Sequence, residues 1–222
     1  MKKLLSIMLI AVLAVSSVFA VSGYIGTSSG YSFDYAKVSD DKISQVATSI
    51  PVNIDGATFF GKGSFNFGLS YGGKMASIPM NYYVGDVKFD SDPSKYTWTL
   101  APYAGLTFQY RFSKGFGIAG SVNATYNWGS AKDEASQYLP SEVIDLIGKF
   151  GVDVKYHILG AMGNLYLNMN LGSFNIRIGA SMEGPIGTWA QYELLNATTT
   201  SDMIDSMGPF SIVPFAGIGF AY

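Results

Sequence analysis

Apolar and polar residues alternate with a period of two along most of this chain. In "SFNIRIGASME", Phe174, Ile176, Ile178, Ala180 and Met182 share one parity, and Ser173, Asn175, Arg177, Gly179, Ser181 and Glu183 share the other. Successive side chains of a strand point to opposite faces, so this spacing predicts a strand with one apolar and one polar face. "WTLAPYAGLTFQYRF" sets Trp98, Leu100, Leu106, Phe108, Tyr110 and Phe112 against Thr99, Gly105, Thr107, Gln109 and Arg111. "GFGIAGSVNATYNW" sets Phe116, Ile118, Val122, Tyr126 and Trp128 against Gly117, Ser121, Asn123 and Thr125. In "TFFGKGSFNFGLSY", Phe59, Phe65, Phe67, Leu69 and Tyr71 take one face, and Thr58, Phe60, Lys62, Asn66 and Ser70 the other. "MASIPMNYYV" and "HILGAMGNLYLNMN" are rougher strands. A Gly- and Ser-rich first strand from Val21 to about Tyr35 and a last strand from Pro209 to Tyr222 bring the expected number to eight.

Alternation does not say which face is inside. A soluble sandwich or barrel buries its apolar face, whereas a membrane barrel turns that face to lipid and its polar face inward. Two features favour the second arrangement. The strands are long for a globular sheet and match the length needed to cross a bilayer at a tilt. Their polar faces consist of Gly, Ser, Ala, Asn and Thr, which suit a narrow interior better than a soluble surface.

The connections extend this reading. Gly72-Gly73-Lys74, Ser113-Lys114-Gly115 and Leu171-Gly172-Ser173 are expected as tight turns. Long connections are expected at about 36–57, 85–97, 129–156 and 187–208. The third holds "LPSEVIDLIGKF", in which Ser141 is placed to cap a short helix. The expected fold is an all-β, eight-stranded, antiparallel up-and-down transmembrane barrel with a short helix in that loop. Outward aromatics then fall into two bands, as at the two faces of a membrane. Tyr71, Tyr110, Phe112, Phe116 and Phe174 lie beside the short turns, and Tyr82, Trp98, Tyr126 and Trp128 near the long loops.

The opening "MKKLLSIMLIAVLAVSSVFA" changes the picture by placing the chain outside the cytoplasm. Lys2 and Lys3, an apolar run from Leu4 to Val15 and the small residues before position 21 predict a secretory signal peptide over 1–20, with the barrel domain over 21–222. Without Lys2 and Lys3 the formal charge moves from −2 to −4, which gives nucleic acid no electrostatic footprint. The absence of cysteine means that an exported domain holds together without disulfides.

The ending "GIGFAY" resembles the C-terminal assembly signal of outer-membrane β-barrels, with Gly217, Phe220 and Tyr222 in the places of the glycine and the two aromatics. Phe215 stands where that pattern favours a polar residue. The chain as a whole resembles the small eight-stranded outer-membrane proteins: the OmpA transmembrane domain, OmpX and the OmpW group. That resemblance implies a location in the bacterial outer membrane, contact with outer-membrane lipid, delivery by the barrel-assembly machinery and a monomeric state.

Little catalytic chemistry is visible. The outer-membrane lipid A deacylases would have a serine two residues after their histidine; after His157 that place holds Leu159. No enzyme activity, cofactor or metal is expected. The interior is the one place where charge gathers. Counted from the short turns, Asp34, Lys62 and Glu183 lie towards the long loops, and Arg111 and Arg177 towards the turns. In a narrow interior they should pair, as a stabilising network or as an ion pathway. Three functions remain open: a structural or surface-interaction barrel with a plugged polar interior, a narrow OmpW-like transporter of small apolar molecules, and an exported lipocalin-like binder. The last requires an apolar interior.

Overall fold

The computed structural model describes residues 22–39, 42–61, 63–94, 97–130, 153–194, 197–200 and 210–222. It is all-β. The strands are β1 (Ser22–Gly30), β2 (Ser32–Ser39), β3 (Lys42–Phe60), β4 (Phe65–Val84), β5 (Val87–Asp90), β6 (Thr97–Arg111), β7 (Phe116–Ser130), β8 (Asp153–Leu171), β9 (Phe174–Leu194), β10 (Ala197–Thr200) and β11 (Phe210–Ala221). Their pairings are antiparallel and return on themselves. β3 pairs with β4, β4 with β6, β6 with β7, β7 with β8, β8 with β9, and β9 with β11. β11 then pairs with β1, and β1 with β3. β2 continues β1 past Tyr31, pairing with β3 and with the start of β11. The short strands β5 and β10 fold back onto β4 and β9.

Burial along these strands is the inverse of a soluble sheet. On β6, Leu106 is 71% exposed while its neighbour Thr107 is 2% exposed. Across the ladder, Leu106 pairs with Leu69 and Val122, and Thr107 with Gly68 and Ser121. Val122, Leu165, Ile178 and Ile218 are exposed on the outer face, and Asn66, Ser70, Asn123, Asn168 and Asn175 are buried on the inner one. The inner groups satisfy one another: Asn123 and Asn164 both donate from Nδ2 to Ser121 Oγ at 2.9 Å, and Asn175 Nδ2 donates to Asn168 Oδ1 at 2.5 Å. A small apolar cluster of Tyr24, Ala57, Phe59, Ala119 and Tyr166, with Phe215 against it, fills part of the interior.

The structure corrects the expected course of the second and third strands. Gly72, Gly73 and Lys74 form no turn; they lie within β4. A register shift there, between Lys74 and Ala76, lets Met75 bulge from the ladder. A bulge adds one residue to one strand and exchanges its two faces beyond that point. That exchange produces the break in parity between Leu69 and Ile78 that the sequence presents as a turn. The hairpin lies earlier, between the end of β3 at Phe60 and the start of β4 at Phe65, and Gly61 there adopts φ +119°. Phe59 therefore points inward, 1% exposed, instead of outward. Thr58 lies on the outer-face row with Gly23 and Leu69.

The expected loop at 36–57 is largely strand, since β2 runs to Ser39 and β3 begins at Lys42. β9 likewise continues through the expected fourth loop to Leu194, and β10 pairs back onto it. The turns at 113–115 and 171–173 fall where expected. The signal segment 1–20 and the helix expected after Ser141 lie outside the described residues.

Candidate functional site inside the ring

The inner face of β9 begins beside the 172–173 turn with Asn175 and continues through Arg177, Gly179, Ser181 and Glu183. The inner face of β3 carries Asn53, Asp55 and Ala57, which pair with Ser28, Gly26 and Tyr24 of β1. Arg177 spans the strands between them. Its Nη1 donates to Asp55 Oδ2 at 2.5 Å, and Ser28 Oγ donates to the same oxygen at 3.0 Å. Its Nη2 donates to the backbone carbonyls of Thr27 and Ile218. The guanidinium carbon sits 4.1 Å from the centre of the Tyr24 ring, a cation–π arrangement. Tyr24 in turn donates its hydroxyl to Tyr166 at 2.9 Å. At 1% exposure, Arg177 is among the most buried side chains of the molecule.

Gly217 makes this crossing possible. A Cβ there would stand 2.9 Å from Arg177 Nη2 and 3.0 Å from Ser28 Cβ. Further towards the opposite end of the ring, Lys74 lies 3.8 Å from Glu183, and Asn127 Nδ2 donates to Glu183 at 3.1 Å. A cavity of about 60 Å³ is lined by both ion pairs together with Tyr103, Thr125 and Phe215. Asp55 Oδ1, Arg177 Nε and Thr125 Oγ1 are buried and have no protein partner among the described residues. The space suits a few water-sized molecules, which would satisfy those atoms.

Asp34 and Arg111 are placed apart from this centre. Asp34 accepts from Ser32 Oγ at 2.7 Å and from Ser211 Oγ at 2.6 Å. Arg111 donates from Nε to Gln109 at 3.1 Å and from Nη2 to Ser22 Oγ. Lys62 lies outside the described residues. The sequence reading did not single out Asp55 and Lys74, because it placed both in connections. The signal for Asp55 was present: Ile50, Val52 and Ile54 alternate with Pro51, Asn53 and Asp55.

On the outer face, Phe112 meets Tyr110 and Phe116 beside the 112–115 turn, with centroids 5.4 and 5.5 Å apart. Phe174 meets Phe220 at 5.9 Å. Towards the other end, Tyr82 stacks on Phe89, and Tyr126 lies 5.6 Å from Trp128. The Trp98 side chain lies outside the described residues. Tyr222 lays its ring over Gly23 and shares a 2.7 Å hydrogen bond with Thr58 Oγ1 and a 3.3 Å one with Tyr71. The backbones of Gly23 and Tyr222 exchange bonds of 2.9 and 3.0 Å. His157 sits on the outer face and bonds Tyr126 through Nδ1. Among the described residues no group of His, Cys, Asp and Glu could hold a metal ion.

No family model and no curated protein sequence matches this chain. Among solved structures it is similar to Ail, the attachment invasion locus protein of Yersinia pestis, at 12% identity and a TM-score of 0.40, over 90% of this chain and 99% of that one. It is also similar to Neisserial surface protein A, at 9% identity and a TM-score of 0.44, over 89% and 96%. A third likeness is to the outer membrane protein OprG from Pseudomonas aeruginosa, at 12% identity and a TM-score of 0.41, over 92% and 97%.

Proposed function

We propose that the ring is a closed eight-stranded β-barrel spanning the bacterial outer membrane, with a structural or surface-interaction role and an interior plugged against hydrophilic solutes. The observation that carries this reading is the inverted burial. Leu106, Val122 and Ile178 are 71%, 68% and 53% exposed, on strands whose inner rows hold Thr107, Asn123 and Arg177. Leaving a large apolar side chain in water forgoes about 1.5–3 kcal/mol. A belt of them around the whole ring is stable only against hydrocarbon. An eight-stranded barrel has an interior just wide enough for its own side chains. Here Arg177, Asp55, Tyr24, Tyr166 and Phe59 occupy it. That polar filling argues against a lipocalin-like binder.

Two measurements test the reading. The protein should stay in the membrane fraction after sodium carbonate extraction; release into the supernatant would overturn the membrane assignment. In planar bilayers the purified protein should show no large, stable conductance steps; steps of porin size would overturn the plugged interior.

A further inference from the structure

We propose that the mouth of the ring beside the 112–115 and 172–173 turns docks an acidic polypeptide segment, with Arg111 and Lys114 as its cationic contacts. The ground is how charge divides between the two ends of the molecule. All 16 acidic residues fall outside positions 1–33, 56–85, 93–132, 154–182 and 206–222. Those acid-free stretches hold the strand ends on the short-turn side: the end of β3 and start of β4, the end of β6 and start of β7, the end of β8 and start of β9, the start of β1 and the end of β11. Asp55 is the acid nearest that end along the strands, and Arg177 already engages it at 2.5 Å. The formal charge of −2 for the whole chain hides this division. Arg111 keeps its positive charge with only neutral partners, Gln109 Oε1 at 3.1 Å and Ser22 Oγ. A guanidinium has five N–H donors, and these bonds leave Nη1 free to bind.

The place of Arg111 selects the partner. It closes the inner row of β6 after Thr107 and Gln109, and it reaches Ser22 at the start of β1. The half-buried guanidinium therefore lies inside the mouth and is approached from water. A lipid headgroup stands outside the ring, beyond the outer row of Tyr110 and Phe112, and does not meet it. Lys114 is exposed on the adjoining turn. The backbone of that turn is fixed: Phe112 N and Ser113 N donate to the Phe116 carbonyl at 2.9 and 3.1 Å, and Asn170 N donates to the Gly115 carbonyl at 2.7 Å. The fork of Arg111 matches one carboxylate, and a further carboxylate of the same segment meets Lys114. Short turns of outer-membrane barrels face the periplasm, so a periplasmic partner rests on the membrane reading above.

The full protein in phosphatidylcholine nanodiscs leaves both mouths open to solvent. Binding of fluorescein-labelled hexaglutamate and hexaglutamine is followed by anisotropy at low salt. Hexaglutamate should bind about tenfold more tightly or better, the scale of a hydrogen bond to a charged group. Arg111→Gln should weaken it about tenfold. Lys114→Gln, on an exposed turn where folding is not at risk, should weaken it about threefold, and Lys114→Arg should leave it unchanged. Equal binding of the two peptides, or hexaglutamate binding unchanged in both glutamine variants, would overturn the proposal. Displacement of hexaglutamate by an equal concentration of glycerol phosphate would also overturn it, because a single phosphate would then suffice. The side of the membrane is tested separately. A cysteine at Ser113 should react with a membrane-impermeant maleimide only after the outer membrane is permeabilised. Reaction in intact cells would overturn the periplasmic placement, whatever the peptides do.

Discussion

Arg177 of β9 donates to Asp55 of β3 at 2.5 Å across the interior of the ring, although 122 positions separate them in the chain. The bond spans β11 and β1, ties four strands together, and joins the first half of the sequence to the second. A carboxylate and a guanidinium buried this deeply offset the cost of leaving water by pairing with each other. Tyr24, Ser28 and the carbonyls of Thr27 and Ile218 complete the environment.

Removing one partner should therefore be costly. Asp55→Ala strands the Arg177 guanidinium and is expected to destabilise the folded form by about 3–5 kcal/mol. The double change Asp55→Leu with Arg177→Met removes both charges and should recover most of that loss. Urea titrations of heat-modifiable gel mobility measure both. A double variant as unstable as Asp55→Ala would mean that the pair does not act as a unit.

Gly217 gives a second test of the same crossing. An added methyl meets Arg177 Nη2 and the carbonyl of Thr27 at 2.9 and 3.0 Å. Gly217→Ala is expected to cost about 1–3 kcal/mol as an overpacking change. In an Arg177→Ala background the cost should fall, because the nearest of the three close contacts is gone and neighbours in contact are not additive. Equal cost in the two backgrounds would show that Arg177 does not need the space. This gives Gly217 a packing role beside the assembly signal expected from the sequence.

The sequence shows its outer face clearly wherever a strand keeps its phase. β6, β7, β8 and β11 place Leu106, Val122, Leu165 and Ile218 outward, and Thr107, Asn123, Tyr166 and Gly217 inward, because nothing interrupts the period of two. It misleads where phase changes. Gly72-Gly73-Lys74 has the composition of a hairpin, yet Met75 merely bulges from β4. The reversal between Phe60 and Phe65 is hidden because Phe59 and Phe65 share a parity across it. Moving that turn back brings the β3 segment containing Asp55 into the wall, and with it the partner of Arg177. Pairing across 122 residues has no local signature; a buried Arg177 indicates only that some carboxylate must face it.

Tyr222 joins β1, β3 and β4 through Gly23, Thr58 and Tyr71. Tyr222→Phe keeps the aromatic ring and loses the hydroxyl, so assembly should persist with stability reduced by about 1 kcal/mol. Phe220→Asp, or removal of Tyr222, should block insertion. Yield in the membrane fraction and the urea midpoint separate the two effects. Normal insertion of Phe220→Asp would remove the assembly role given to this segment.

The outward position of Leu106, 71% exposed, predicts a strong asymmetry with its neighbour. Leu106→Arg places a charge on the outer face and is expected to cost about 2–4 kcal/mol near the membrane midplane. Thr107→Ser keeps the hydroxyl that donates to the Gly120 carbonyl at 2.9 Å and should assemble as the native chain does. Membrane yields of the two variants are the measure, and normal assembly of Leu106→Arg would argue for the opposite register.

The inverted burial is open to one direct measurement. The chain contains no cysteine, so single cysteines at 106, 107, 108 and 109 can each carry a unique spin label. In reconstituted vesicles, labels at 106 and 108 should be accessible to membrane-dissolved oxygen, and labels at 107 and 109 should be shielded from it. The same period-two pattern at 106 and 108, but with accessibility to a water-soluble nickel complex in place of oxygen, would contradict a lipid-facing apolar belt.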